Sequence, residues 1–328
     1  MKTTKLLDGQ YICESSYEKS MIETVEPYID KLRESGYFIG NNNLKIYYES
    51  FILQEEKGSI VICHGFGEYI PRYNELIYYF LKSGYSVFIM EHRGCGRSGR
   101  LGCDSYQINV EKFEYYVDDF KIFIDDIVMK NEDKKNLLLF AHSMGGGIAT
   151  KFLEEYPKYF KRAVLSAPMH GINTGKYHPL VASVVSKLYK IIGKRNSYLP
   201  GQKPYSGIRE NPIGATSSSA RYEYYYNKSC DNKCYRSGGS SANWYYEANS
   251  ATKSIIKKKN ASKVLIPVLL LQPQNDTYVI LEAQNQFAKY AKQCKIVKIE
   301  DSKHESFHEV DTIAFKTIET ILDFLGQN

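Results

Sequence analysis

The run Leu137-Leu138-Leu139-Phe140-Ala141-His142-Ser143-Met144-Gly145-Gly146-Gly147 constrains this chain more than any other. Four consecutive apolar residues read as a buried strand. A small-x-Ser-x-Gly turn follows at once, then a helical stretch over 148–156 that Pro157 stops. Strand, sharp turn and helix in that order form the setting in which a serine is lifted onto the tip of a sheet as a nucleophile. Small residues beside the serine let strand and helix approach closely, and Ala141 and Gly145 hold those positions. The plainer alternative is a tight strand-to-helix turn with an incidental serine.

The rest of the chain is read outward from that element. Residues 1–36 are mixed and polar and read as a lead-in with a helix. Segments 37–39 and 44–51, separated by Asn41-Asn42-Asn43, read as a hairpin. Further strands are expected at 58–63, 85–90, 162–166, 264–271 and 295–300. Helices are expected at 73–82, 110–129, 280–292 and 312–325. Strands alternating with helices imply right-handed crossovers and a mostly parallel sheet flanked by helices, an α/β fold. The alternation fails between 171 and 251, where Gly, Ser, Asn and Tyr dominate and one helix is expected near 181–192. That stretch is too long for a loop and reads as an inserted lid subdomain. The expected division is therefore a lead-in over 1–36, an α/β core over 37–170 and 252–328, and a cap over 171–251.

A serine attacks only when a base takes its proton, and the base needs a third group to orient it. The strand expected at 264–271 runs into Gln272-Pro273-Gln274-Asn275-Asp276, and the one at 295–300 into Asp301-Ser302-Lys303-His304. Asp276 and His304 thus follow Ser143 in the order acid, then histidine, each in a strand-end loop. Asp301 is the rival acid, three residues before His304 on the same loop. The developing oxyanion needs donors. The amide of Met144, just after the nucleophile, is one candidate. The amide of Phe66, in the His64-Gly65-Phe66-Gly67-Glu68 loop, is the other.

Taken together, these motifs resemble the α/β-hydrolase fold and, within it, the bacterial lysophospholipase and monoacylglycerol lipase group. The residues that carry the resemblance are His64 to Glu68, Glu91-His92-Arg93-Gly94-Cys95-Gly96-Arg97-Ser98, Ala141 to Gly146, Asp276 and Ser302-Lys303-His304-Glu305. It covers about residues 35 to 328. In the cap, Asn211-Pro212, Ser219-Ala220-Arg221-Tyr222, Gly238-Gly239, Trp244 and Glu247-Ala248 look most like the lysophospholipase branch. Gly214-Ala215 and Ser240-Ser241 depart from it. The resemblance implies a carboxylic-ester hydrolase working through a Ser143-His304-Asp276 triad and an acyl-enzyme, without metal or cofactor. Its substrate would be a single-acyl-chain lipid, most simply a lysophospholipid. Monoacylglycerol or a general carboxylic ester is the alternative. A non-catalytic binding protein of the same fold is a further alternative, which the intact Ser, Asp and His argue against.

Two motifs compete with that reading. Gly94-Cys95-Gly96-Arg97-Ser98-Gly99 matches a dinucleotide fingerprint, but 100–109 has no helical pattern to follow it. His304-Glu305-Ser306-Phe307-His308 matches the H-E-x-x-H of zinc peptidases, which needs both histidines on one helix face. It falls just past a strand, and His308 is expected at the surface.

Charge and cysteine content narrow the class further. Forty-three Lys and Arg against 37 Asp and Glu leave a dispersed +6, and Lys257-Lys258-Lys259 lacks aromatic interleaving. No nucleic-acid footprint results. Seven scattered cysteines, with Cys230 and Cys234 lacking partner ligands, read as reduced thiols of a cytoplasmic protein. No signal-peptide core or apolar run of about 18 residues is present, so membrane contact is expected to be peripheral at most.

Overall fold

The computed structural model describes residues 11–130, 136–209 and 214–327. Its strands are β1 (Arg33–Ile39), β2 (Lys45–Phe51), β3 (Gly58–Cys63), β4 (Tyr85–Met90), β5 (Leu137–His142), β6 (Arg162–Ser166), β7 (Val268–Pro273) and β8 (Cys294–Ile299). They form one sheet in the order β1-β2-β4-β3-β5-β6-β7-β8. The β1–β2 hairpin and the β2–β4 pair are antiparallel. Every pairing from β4 onward is parallel. The carboxyl ends of β3, β5, β6, β7 and β8 therefore open on one edge, where an α/β sheet places its ligands.

The helices are α1 (Tyr17–Ser20), α2 (Glu26–Asp30), α3 (Asn74–Lys82), α4 (Glu114–Phe123), α5 (Met144–Glu155), α6 (Pro179–Ile191), α7 (Ser219–Asp231), α8 (Ala242–Ile255), α9 (Lys258–Ala261), α10 (Leu281–Tyr290) and α11 (Asp311–Leu325). Strands β3, β4, β5 and β7 are buried along their whole length, as a sheet covered on both faces requires. β5 turns Leu137, Leu139 and Ala141 into one apolar layer, with Phe120 of α4 and Ile148 and Phe152 of α5. It turns Leu138 and Phe140 into the other, with Leu76 and Phe80 of α3 and Ile318 and Ile321 of α11.

The lead-in is more than an irregular approach. Tyr17, Met21, Val25 and Ile29 recur every four residues and are all buried in the layer that holds α3. β1 begins at Arg33 rather than 37, because an edge strand pairs through its backbone and needs no apolar alternation in Arg33-Glu34-Ser35-Gly36. β7 begins at Val268, just past Pro267, which has no N–H to give the ladder.

The stretch between β6 and β7 carries three helices of more than twelve residues, where one was expected. Ser218 caps α7 by accepting the Arg221 amide at 3.3 Å, and Ser241 caps α8 by accepting the Trp244 amide at 2.9 Å. α8 runs on to Ile255, past the expected cap boundary at 251. Backbone bridges tie the stretch to the core at Ile172–Val279 and Ile108–Ser240. Of the cap residues compared with the lysophospholipase branch, Asn211-Pro212 lie outside the described residues.

Candidate active site

The turn after β5 holds Ser143 at φ 52°, ψ −119°, a left-handed conformation that non-glycine residues adopt only when their surroundings impose it. The surroundings are visible in the glycines that follow. A Cβ on Gly145 would sit 2.1 Å from the Cys63 carbonyl and 2.4 Å from that of His64; one on Gly146 would sit 2.7 Å from Pro168. The first turn of α5 is thus wedged between the ends of β3 and β6. Only a side chain of no size fits there, and the tightness forces the serine outward.

Ser143 Oγ lies 2.8 Å from His304 Nε2, and His304 Nδ1 lies 2.7 Å from Asp276 Oδ2. The other Asp276 oxygen, Oδ1, accepts the amides of Tyr278 at 2.7 Å and Val279 at 3.2 Å. Those bonds fix the carboxylate before the imidazole meets it. The His304 and Asp276 side chains are shielded from solvent. The structure therefore brings Ser143, Asp276 and His304 together. The rival acid Asp301 stands at φ 56° in the turn after β8 and is exposed.

Met144 opens α5, so its amide belongs to the helix end whose N–H groups have no intrahelical acceptor. Phe66 stands on the loop leaving β3, which Gly145 brings against the start of α5. Its ring packs edge-on to Trp244 at 4.5 Å between centroids. That loop is held from beneath. Glu68 Oε2 accepts the Gly65 amide at 2.5 Å and the Tyr73 hydroxyl at 2.6 Å. His64 Nε2 accepts the His92 amide at 2.9 Å, and burial lowers the His64 imidazole to about 4, so it stays neutral.

A buried ionic cluster lies behind His304, and sequence reasoning did not find it. Arg72 bonds Glu305 Oε1 at 2.5 Å and reaches Glu68 Oε1 at 3.8 Å, so one guanidinium joins the Phe66 loop to the His304 loop. Burial alone would raise the Glu305 carboxyl, but Arg72 and then His308 hold it well below the ordinary range. The His142 ring packs against that of His304, tilted by 53° with 4.8 Å between centroids. Burial, then the charge on His304, lowers it to about 3. A neutral ring therefore lies against the His304 imidazole. The only sequence signal was Glu68 and Arg72 four residues apart.

Among the described residues, Glu68, His142 and Glu305 are the one group whose donor atoms come within a metal's reach, lying within 4.8 Å of one another. Arg72 pairs with both carboxylates, so their charge is already matched by a fixed cation. The H-E-x-x-H alternative fails on geometry. Its histidines do not share a helix face, since 306–308 is a single short turn. His304 turns to Ser143, and His308 Nδ1 meets Glu305 at 3.2 Å. His308 is also not at the surface as expected; it is buried against Tyr225 and Phe307. The apolar cover from α7, unreadable in a tyrosine-rich sequence, is the reason.

Ser143 opens into a cavity of about 600 Å³, within the roughly 300–1,000 Å³ of small-molecule sites. Phe66, Met169, Val185, Leu199, Trp244 and Val279 line it, and Asn173, Lys176, Gln202 and Tyr278 supply its polar atoms. No carboxylate is among the lining residues.

A serine on a strained strand-to-helix turn, a histidine and an aspartate in later strand-end loops, and a mostly parallel sheet give an α/β-hydrolase fold with Ser143, His304 and Asp276 within hydrogen-bond reach of one another. The family described as "Serine aminopeptidase, S33" matches residues 54–311, and the chain belongs to it. Lysophospholipase L2 of Escherichia coli is 28% identical over 314 residues, covering 93% of this chain and 92% of that protein. A probable lysophospholipase L2 of Haemophilus influenzae is 26% identical over 292 residues, 88% and 91% of the two chains. Among solved structures, a soluble variant of the monoglyceride lipase of Saccharomyces cerevisiae superposes with a TM-score of 0.73 at 18% identity, covering 90% of this chain and 95% of that one. Among the described residues, no helix is long and apolar enough to cross a membrane.

Proposed function

We propose that the protein is a serine carboxylic-ester hydrolase of lipids with one acyl chain, acting as a lysophospholipase. The observation that carries this reading is the hydrogen-bonded Ser143-His304-Asp276 relay opening into a mostly apolar cavity. His304 Nε2 takes the Ser143 proton as Oγ attacks the ester carbonyl. Asp276 holds the Nδ1 proton and steadies the imidazolium. The amides of Phe66 and Met144 receive the oxyanion. His304 then protonates the leaving alcohol, and water, deprotonated by the same histidine, releases the fatty acid from Ser143. Protons and bonds balance without a cofactor.

Three features support the substrate class. The lining is apolar enough for one acyl chain. Lys176 among it offers a cation to a headgroup phosphate. Two relatives matched along about nine-tenths of their length are named lysophospholipases. An aminopeptidase must hold a cationic α-amino group, and a lining that carries Lys176 and no carboxylate is unsuited to that. A monoacylglycerol substrate uses the same chemistry without the phosphate and is the second reading, favoured by the fold likeness to a monoglyceride lipase.

The test compares kcat/KM on lysophosphatidylcholine, monoacylglycerol and a short-chain ester for wild type and Ser143→Ala. The variant is expected to lose about 10³-fold or more on all three while staying folded. Activity within a few fold of wild type would overturn the assignment. A wild-type preference for monoacylglycerol would move the substrate to the second reading.

A further inference from the structure

Lysines that are scattered along the sequence gather on one edge of the sheet. β6, β7 and β8 are parallel neighbours, with Ala163 paired to Val268 and Val268 to Cys294. Their amino ends therefore lie side by side, on the edge away from Ser143, Asp276 and His304. Lys158 and Lys161 precede β6. Lys257-Lys258-Lys259 and Lys263 precede β7. Lys289 and Lys292 precede β8, and Lys295 stands at its start. All nine are exposed, and none enters an ion pair among the described residues.

The segments 157–163, 257–268 and 288–295 contain no aspartate or glutamate. The nine charges exceed the +6 of the whole chain, so the remainder of the molecule is net acidic. Like charges without counter-charges repel one another, and an anionic partner relieves that repulsion. The segments are also fastened together. The Ala163 amide donates to the Pro267 carbonyl at 3.1 Å, and the Val268 amide to the Gln293 carbonyl at 3.0 Å. The Gln293 side chain donates to the Leu265 carbonyl. Leu265, two residues from Lys263, is 58% exposed among these cations.

The chemistry of the face selects among anionic partners. A bilayer on this edge would hold the Ser143 cavity, which opens on the other one, away from the lipid. A nucleic acid is read by arginine forks and stacked aromatic rings. Here Arg162, Tyr159 and Tyr290 are half-buried and Phe160 is buried. Lysine ammonium groups are compact point charges that suit single carboxylates. Leu265 within a charged surround has the form of an interface core with its polar rim.

We infer that the amino edge of β6, β7 and β8 is a docking face for an acidic protein surface that carries an apolar residue among its carboxylates. Docking there leaves the Ser143 cavity free, so the partner places the hydrolase without blocking it.

The probe is a labelled helical peptide of about twenty residues with glutamates around one central leucine, compared with the same peptide carrying serine at the centre. Binding is followed by fluorescence anisotropy in low and high salt, and fold is checked by hydrolysis of p-nitrophenyl butyrate. Wild type is expected to bind the leucine peptide and to lose about tenfold or more in high salt. Lys263→Glu/Lys292→Glu/Lys295→Glu is expected to lose about tenfold or more, with butyrate hydrolysis within twofold. Leu265→Ser keeps every charge and is expected to bind both peptides equally. Lys187→Glu/Lys194→Glu/Lys316→Glu makes the same change in net charge elsewhere and is expected to bind within twofold of wild type. Equal losses in the two triple variants, or no binding by wild type, would overturn the inference. Wild-type binding of polyuridylate or of phosphatidylglycerol vesicles as tight as that of the peptide would also overturn it. So would a wild-type dimer that the first variant abolishes, since a second copy would then be the occupant.

Discussion

Helices α6 and α7 lie in the same stretch between β6 and β7, yet they are held by different means. α7 is fastened by Arg221, whose guanidinium is fully buried. It meets both Glu75 oxygens at 3.0 and 3.1 Å, Asp311 at 3.0 Å, and the carbonyls of Ile12 and Glu309. Tyr225 adds a hydroxyl contact to Tyr17 at 2.9 Å, and Tyr69 donates to the Tyr225 carbonyl at 2.6 Å. α6 touches the rest mainly through α8, with Lys190 on Glu247 at 2.9 Å and Asn249 on Ser183 at 3.3 Å, both near the surface. Within one insertion, then, one helix is part of the core and another is a half-covered flap over the cavity. A lid drawn as one unit from 171 to 251 would join parts whose stabilities differ.

The largest expected effect tests the anchored half. Arg221→Ala leaves Glu75 buried without its cation and should destabilise the fold by about 3–5 kcal/mol. Leu188→Gln, on the exposed face of α6, should change stability by no more than about 0.5 kcal/mol. Urea unfolding of both variants measures the contrast, and similar midpoints would erase it. A second effect sharpens what α8, which carries α6, does for the site. Trp244 of α8 braces Phe66 and lines the cavity. Trp244→Leu should lower the ratio of long-chain to short-chain kcat/KM about tenfold, the scale of a pocket contact worth roughly 1–3 kcal/mol. An unchanged ratio would mean that the acyl chain runs elsewhere.

The smallest effect concerns acid. The Glu305 amide bonds the Ala215 carbonyl at 2.9 Å, and His308 stacks on Tyr225, so the base of α7 leans on the Glu305 turn. Glu305 has its folded pKa depressed, with Arg72 overcoming the opposing effect of burial. Its contribution is complete above the ordinary glutamate value near 4.3 and is lost as pH falls toward the depressed one. Thermal scans between about pH 5 and pH 2 should show a steeper loss of Tm for wild type than for Glu305→Gln. Parallel curves would remove the ionic cluster from the account of α7.

What was legible in the sequence follows from how each part is built. β3, β4 and β5 each carry at least four apolar residues in a row, and the elbow is punctuated by Ser143 and three glycines, so both stand out locally. Ser143, Asp276 and His304 were readable because each sits in the loop that leaves the carboxyl end of a strand, where chain order predicts proximity. α7 was not readable. Its buried face is Arg221, Tyr224 and Tyr225, polar residues whose burial depends on partners at 75, 17 and 311. α8 buries Asn243 and Thr252 beside Trp244 and Ala248, which blurs the helical period. The burial of His308 was missed for the same reason, since its cover comes from that unread helix. The exposed stripe of α6 has the period of a core helix, and only the structure shows that half of it faces outward.

Arg221 also has a consequence in time. Its partners come from residue 12, near the start, from residue 75 on α3, and from residues 309 and 311 at the head of the last helix. A chain emerging from the ribosome completes its sheet strands β1 to β7 well before Asp311 exists. Until then the guanidinium has Glu75 and the Ile12 carbonyl but not Asp311 or the Glu309 carbonyl, and α7 lacks its tie to the last helix. Contacts this distant in sequence close slowly. The contacts that seat the Ser143 turn come from residues 63, 64 and 168, all made before the last helix, whereas the joint at Arg221 is among the last to shut. A chain truncated before α11 would lose this latch together with the Ile318 and Ile321 packing on β5.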